Sequence, residues 1–257
     1  MNCESIKSQV IDWLRDYARS AKANGFVVGV SGGVDSGLVS TLCSLTALTT
    51  VCFHMPISHE ENDNARNHIQ WLMGKNHKTV WQWANLKLAY EAFLTCLPSM
   101  PDLAKANLQS RIRMCSLYAI ANRDNLLVAG TGNKIEDFGI GFFTKYGDGA
   151  VDISPIGDLM KSEVRELARY LGVADEMVNA VPTDGLWDDG RSDESQIGTT
   201  YDELEWAMKA IENSDDGWND VVNPTERQKE ILRIYCDRHD KNQHKMQMPP
   251  ICKLNKE

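Results

Sequence analysis

The sequence predicts an α/β fold, a parallel sheet with helices on both faces, on two observations. Short apolar runs at residues 26–30, 49–55, 79–83 and 126–129 alternate with longer segments whose apolar residues recur at helical spacing. The first run is followed at once by Ser31-Gly32-Gly33-Val34-Asp35-Ser36 and then by a helical pattern through Leu38, Val39, Leu42 and Leu45. A strand, a tight glycine-rich turn and a helix start form the usual opening of a ligand-binding α/β sheet. Ligands of such sheets collect beyond the carboxyl ends of the strands, where Ser31 and Thr131 both fall.

Each element has its own signal. Residues 5–23 carry Ile6, Val10, Trp13, Leu14, Tyr17 and Ala21 on one side and predict an amphipathic helix. After the strand at 26–30 and the helix behind it, Pro56 ends the strand at 49–55. Residues 60–75 predict a helix and 79–83 a short strand. A helix over 85–97 stops at Pro98 and Pro101, and a long one over 102–122 leads to the apolar strand at 126–129. Residues 131–157 read as too polar for core and too aromatic for a linker, and 182–199 as a second stretch without periodicity. Segments of that length inside a domain usually serve the site. Two helices close the chain. Thr200 to Glu203 has capping-box spacing, and Asn223-Pro224-Thr225-Glu226 reads as an N-cap, a proline at the first helical position and a glutamate at the third.

The bulk composition narrows the function classes. A chain of 257 residues, 42% hydrophobic and 25% charged, suits one α/β domain spanning residues 1–257. A net charge of −9 argues against nucleic-acid or membrane surfaces as partners. No basic region precedes an apolar one at the N-terminus, and no apolar run is long enough to span a bilayer. Cys3, Cys43, Cys52, Cys96, Cys115, Cys236 and Cys252 are odd in number and never in a Cys-x-x-Cys pair. Most sit among apolar neighbours, so buried free thiols, a reducing cytoplasm and the absence of a zinc or iron–sulfur centre are expected.

The turn at 31–36 has the chemistry of an anion site. Backbone N–H groups converge there, and the positive end of the following helix dipole points the same way. Gly32 and Gly33 permit close backbone approach, Ser31 and Ser36 add hydroxyl donors, and Asp35 can hold a cation against bound oxyanions. A phosphate chain with its metal is the expected ligand. No Gly-Lys-Ser/Thr follows, so this is not a Walker A loop, and Gly130-Thr131-Gly132 lacks the third glycine of a dinucleotide fingerprint.

The loop resembles the pyrophosphate loop of the N-type ATP pyrophosphatases, which have the adenine nucleotide α hydrolase-like fold. The second half is more specific. Gly130-Thr131-Gly132-Asn133-Lys134-Ile135-Glu136, Gly141-Phe142-Phe143-Thr144-Lys145-Tyr146-Gly147-Asp148-Gly149, Asp152 and Pro155 to Lys161 together are similar to the ammonia-dependent NAD synthetases, over nearly the whole chain. The resemblance implies ATP at Gly29, Val30, Ser31, Gly32, Gly33, Val34, Asp35 and Ser36, with Thr131, Lys161 and Thr183. It implies Mg²⁺ at Asp35 and Glu136, and the pyridine dinucleotide at Arg111, Lys145, Asp152, His244 and Lys245. The catalytic set it implies is Asp35, Ser36, Lys161 and Thr183.

Elementary chemistry agrees with these roles. Paired carboxylates suit a hard cation, a lysine neutralises charge on departing pyrophosphate, and Arg111 and Lys145 suit a diphosphate and a carboxylate. Simpler explanations exist for some: Arg111 as a solvated helix residue, Lys161 as a first-turn residue, Thr183 as a turn residue, His244 and Lys245 as chain-end surface. One departure is the extra glycine in Pro182-Thr183-Asp184-Gly185-Leu186-Trp187, although Asp193-Glu194 matches again. The implied reaction is ATP-dependent amidation of deamido-NAD by ammonia through an acyl-adenylate, giving NAD, AMP and pyrophosphate. The 182–199 segment would shield the intermediate. Another pyrophosphate-loop adenylating ligase is the alternative activity, and a non-catalytic nucleotide sensor the alternative class. Ammonia is expected as nitrogen donor because the chain has no room for a glutaminase domain, and a homodimer is implied.

Overall fold

Four parallel strands build the sheet in the order β3-β2-β1-β4, from β1 (Gly25–Gly29), β2 (Thr49–His54), β3 (Thr79–Trp83) and β4 (Leu126–Val128). The structure, a computed structural model, describes residues 1–57, 63–183, 185–187, 189–214 and 221–255. Central β1 is apolar at every side-chain position, and Phe26, Val27 and Val28 are fully buried, as a strand covered on both faces requires. Phe26 and Val28 pack with α1 (Cys3–Ser20), α2 (Val34–Leu45) and α6 (Lys161–Leu171), while α3 (Asp63–Lys75) covers Cys52 on the next strand. Val27, Val51 and Phe53 pack against Ala121 and its neighbours on α5 (Asp102–Asp124), with α4 (Lys87–Cys96) alongside α5. The expected α/β class with helices on both faces is therefore observed.

Several boundaries move for local reasons. The first helix begins at Cys3 because the Asn2 side chain accepts the Ser5 N–H at 3.1 Å, and it ends at Ser20 just before Lys22, whose φ is +54°. The long helix extends to Asp124, where Asn125 takes the left-handed conformation as cap. Of the helix expected over 60–75, residues 60–62 lie outside the described residues.

Three expectations are corrected. The polar run after β4 is core-forming: a π-helix over Lys134–Ile140 buries Ile135 and Ile140 completely. Its two fully buried side chains, Ile135 and Ile140, lie five positions apart, a spacing that fits neither the helical nor the strand period, so the pattern gave no signal. Residues 182–199 are not loop throughout. They contain α8 (Asp193–Ile197), capped by Ser192, with Asp193 and Ile197 buried; Asp184 and Asp188 of the same segment lie outside the described residues. Finally, Thr225 and not Asn223 caps α10 (Glu226–Met246), through a capping box with Gln228, because Asn223 sits at φ +49° two residues ahead of the cap. The π-helix, α8, α9 (Tyr201–Glu212) and α10 share a second apolar cluster through Ile135, Ile197, Leu204 and Leu232. Residues Asp175–Val178 add the short α7.

Behind the turn at 31–36, buried His68 on α3 meets the Ser40 hydroxyl of α2 at 2.9 Å. Burial pushes its imidazole down to about 4, against a partial opposing effect of the Gly37 backbone. The unfolded chain therefore binds a proton that the folded chain refuses. Stability is expected to fall as pH drops below the unfolded value near 6.5, with the loss complete near 4. His68→Gln, which keeps a side-chain amide for Ser40, should flatten that slope in urea melts at pH 7, 6 and 5. An unchanged slope would assign the acid sensitivity to other groups.

Candidate active site

The turn after β1 is held by its own serines. The Ser31 N–H donates to Ser36 Oγ at 3.2 Å, the Ser36 hydroxyl donates to Gly33 O at 2.9 Å, and the Gly33 N–H donates to Ser31 Oγ at 3.3 Å. Gly32 has φ +94°, a conformation any side chain would strain. Gly33 precedes the first turn of α2 and no side chain caps it, which leaves the amides of that turn for a ligand. Gly29 and Val30 lead into this turn, and the Val30 N–H donates to Phe53 O of β2 at 2.9 Å.

Asp35, in the first turn of α2, faces two residues from much later in the chain. Lys161, the first residue of α6, is 2% exposed and its Nζ donates to Asp35 Oδ2 at 2.7 Å and Glu136 Oε1 at 2.9 Å. Burial alone would push this ammonium down, but the carboxylates of Asp35 and Glu136 outweigh it and hold Lys161 above its ordinary range. Asn133, fully buried, donates from Nδ2 to Asp35 Oδ1 at 3.0 Å and Glu136 Oε2 at 2.8 Å. The Tyr201 hydroxyl donates to Glu136 Oε1, and Lys161 Nζ lies 4.9 Å above the centre of its ring. Burial first, then Glu136 and Asp193, holds the Tyr201 phenol far above its ordinary range, so it stays a donor.

Thr131 stands at the carboxyl end of β4, just past Gly130, whose N–H donates to Ile153 O at 2.8 Å. Gly132 is required beside it, because a Cβ there would fall 1.8 Å from Asp137 Oδ2. Desolvation, with the nearby charges of Glu136, Asp148 and Asp35, raises the Asp137 carboxyl well above the usual range. Thr183 is exposed and has no hydrogen bond among the described residues. The adjacent Pro182 carbonyl accepts the Asp193 N–H at 2.9 Å, which fixes the base of that segment.

A second cluster gathers most of the remaining predicted residues. Lys145 and Lys245 line a cleft of about 230 Å³ with Phe143, Tyr146 and Met248. Lys145 Nζ donates to the His244 carbonyl, Lys245 Nζ to Phe143 O at 2.6 Å, and Arg111 to Lys145 O at 3.3 Å. Burial lowers the Lys245 ammonium. Asp152 has different partners: Tyr118 Oη at 3.1 Å and the Val128 N–H at 2.8 Å. The structure thus brings Asp35, Ser36, Glu136 and Lys161 to one end of the sheet, and Lys145 and Lys245 to one cleft, with Arg111 and His244 joined to Lys145 by hydrogen bonds. It does not bring Thr183 or Asp152 into contact with either group.

Asn133 and Tyr201 were missed by sequence reasoning. Asn133 sits three residues before Glu136, at N-cap spacing, and its Oδ1 accepts the Ile135 and Glu136 N–H groups at 3.1 Å. That spacing was the available signal. Tyr201 lies inside the Thr200 capping box, whose regular spacing gave its hydroxyl no separate mark.

Chemically the site pairs an anion-receiving turn with two carboxylates that already share one cation, Lys161 Nζ. Their oxygens are hard donors of the kind Mg²⁺ takes. Among the described residues no three His, Cys, Asp or Glu side chains form a metal cage. A cation held by Asp35 and Glu136 would complete its shell from phosphate and water, the usual habit of Mg²⁺.

Comparison with known proteins identifies the family. The profile of the NAD synthase family matches residues 6–249. An NH₃-dependent NAD⁺ synthetase from Carboxydothermus hydrogenoformans is 37% identical, covering 98% of this chain and 98% of the relative. Among solved structures, the NMN synthetase from Francisella tularensis superposes with a TM-score of 0.83 at 30% identity, over 99% of this chain and 100% of that one. The NH₃-dependent NAD synthetase from Campylobacter jejuni gives 0.79 at 27% identity, over 98% and 100%. With a fold, a phosphate turn and a near full-length match in agreement, the chain belongs to the NAD synthase family.

Proposed function

We propose that this protein makes NAD by amidating the nicotinate carboxylate of deamido-NAD with ammonia, driven by ATP. The observation that carries the reading is the convergence of Asp35, Glu136 and Lys161 beside an uncapped phosphate turn. The turn from Val30 to Ser36 would grip the β and γ phosphates with its amides. A carboxylate oxygen of the substrate attacks the α phosphorus, the bond to pyrophosphate breaks, and an acyl-adenylate forms. Ammonia then adds to the acyl carbon, the bond to AMP breaks, and a proton passes to solvent. Lys161 neutralises the charge that grows on the departing pyrophosphate. Asp35 and Glu136 would hold Mg²⁺, which spreads that charge further. Lys145, Lys245 and Arg111 offer cationic groups to the substrate's diphosphate and carboxylate. The remaining work is positioning, which needs no nucleophilic side chain. ATP contacts from Thr131 and Thr183, and a dinucleotide contact from Asp152, belong to the same reading.

The direct test is incubation with ATP, Mg²⁺, ammonium and either deamido-NAD or nicotinate mononucleotide, with mass detection of amide product and AMP. The mononucleotide is included because one solved relative is an NMN synthetase. Faster NAD formation from deamido-NAD is expected. Exclusive use of the mononucleotide would reassign the substrate, and ATP turnover with neither acid would favour a different adenylating ligase.

A homodimer and a cytoplasmic location complete the reading. All seven cysteines are free, as a reducing compartment allows. Only Cys43 and Cys52 are buried, against the expectation for most of them, because Cys96, Cys115 and Cys252 lie at solvent-facing positions despite apolar sequence neighbours. Among the described residues no helix is long and apolar enough to cross a membrane. Helix α4 buries none of its residues, and Leu88 and Phe93 on α4 and Leu103 on α5 are exposed apolar side chains. Such a surface suits a second copy of the chain. Light scattering is expected to give twice the chain mass, and Leu88→Lys should shift it toward the monomer. A fully active monomer at assay concentration would end this part of the reading.

A further inference from the structure

Two carboxylates that share one ammonium must keep their spacing once that ammonium leaves. Lys161 Nζ touches Asp35 Oδ2 and Glu136 Oε1, and the reaction proposed above takes it to the pyrophosphate. Two like charges without a restraint would then swing apart. The restraint is visible on the other sides of both carboxylates. Asn133 Nδ2 donates to the second oxygen of each, Asp35 Oδ1 at 3.0 Å and Glu136 Oε2 at 2.8 Å. Tyr201 donates to Glu136 Oε1, the oxygen that Lys161 would release, and its hydroxyl lies 3.3 Å from Asp193 Oδ2.

Both donors are themselves fixed. Asn133 is fully buried and caps the π-helix with its Oδ1. Tyr201 is 1% exposed, at the first position of α9, in the cluster that holds Ile135 and Ile140. Neither carries a charge, so neither offsets the negative charge that the carboxylates offer a cation. Through Asp193, whose N–H donates to Pro182 O, Tyr201 also joins Glu136 to the base of the segment that carries Thr183.

We propose that Asn133 and Tyr201 are positioning residues that keep Asp35 and Glu136 at the separation a divalent cation needs while Lys161 moves to the phosphates. The proposal rests on Asp35 and Glu136 being the metal ligands. Donors of this kind around metal-binding groups typically control affinity by one to two orders of magnitude.

The test uses the full chain, Mn²⁺ as probe and the non-reacting analogue α,β-methylene-ATP. Tyr201→Phe removes one oxygen, and Asn133→Ser removes the amide while leaving a hydroxyl that can cap the π-helix. Each is expected to weaken Mn²⁺ binding about tenfold, read from the paramagnetic resonance of free Mn²⁺. Affinity for the analogue in EDTA should stay at the unaltered level. A purely structural role would lower the melting temperature and leave Mn²⁺ affinity alone. Unaltered Mn²⁺ affinity in either folded variant removes that residue from the role. Should Tyr201→Phe lose its near-UV circular dichroism, Asn133→Ser, which leaves the apolar cluster intact, decides the proposal. Asp35→Asn and Glu136→Gln are measured beside them. Full Mn²⁺ affinity in both of those would overturn the metal reading itself, an outcome distinct from failure of the positioning role alone.

Discussion

Replacing Asp35 with asparagine is expected to lower NAD formation by on the order of a hundredfold while leaving the protein folded. The change is nearly isosteric. The amide oxygen of the new side chain can still accept from Lys161 Nζ, which lies 2.7 Å from the native Oδ2, and Lys161 keeps the full charge of Glu136 at 2.9 Å. No buried charge is stranded. The new NH₂ then faces Asn133 Nδ2, a donor whose hydrogen bond Asp35 Oδ1 accepts at 3.0 Å, so the melting temperature should fall by the few degrees that one lost buried hydrogen bond costs. What is lost is one of two negative charges that would hold the metal against the phosphates, and that loss bears on the transition state. Pyrophosphate release and NAD should fall together, because both chemical steps follow from the same adenylation. Glu136→Gln should act in the same direction. Turnover within a few-fold of the unaltered enzyme for either variant would remove that carboxylate from the site.

The order of strands and helices was legible because each central strand carries an apolar run, Phe26-Val27-Val28 in β1 and Val51-Cys52-Phe53 in β2, a pattern that parallel sheets favour. The phosphate turn was legible for a related reason: glycine and serine there answer to backbone geometry and local hydrogen bonds, both visible over six residues. The grouping of Asp35 with Glu136 and Lys161 came from resemblance alone. Residues separated by about a hundred positions carry no mutual signal in a single sequence. Tyr201 escaped because its useful atom is a side-chain donor within a stretch that already had a capping-box explanation, and Asn133 because the π-helix it caps was itself not anticipated. The π-helix was illegible for a different reason. Its repeat matches neither period that sequence reading tests, so Ile135 and Ile140 looked scattered although both are fully buried. Thr183 and Asp152 show the reverse. Resemblance names them, yet in the structure Thr183 is exposed and Asp152 holds Tyr118 and the Val128 N–H.

Lys161→Met separates two roles that one ammonium fills. In the resting chain Lys161 is the cation between Asp35 and Glu136, and removing it leaves two carboxylates facing each other, only 17% and 14% exposed. Stranding buried charge in this way costs about 3 kcal/mol. For a chain of this size that corresponds to a melting temperature lower by roughly 5–10 °C. Adding Mg²⁺ is expected to recover much of that loss in the variant and to stabilise the unaltered protein less, because in the latter Lys161 already fills the space between the carboxylates. Turnover should behave differently. The lysine is also needed at the leaving pyrophosphate, a place the restored cation does not fill, so NAD formation should stay down by on the order of a hundred- to a thousandfold at any Mg²⁺ concentration. Scanning calorimetry across a Mg²⁺ titration, run beside a steady-state assay on the same samples, reads both quantities. Stability that ignores Mg²⁺ would mean the carboxylates do not accept a metal when the ammonium is gone. Turnover restored by Mg²⁺ would mean that Lys161 serves only to hold the two carboxylates together until ATP arrives.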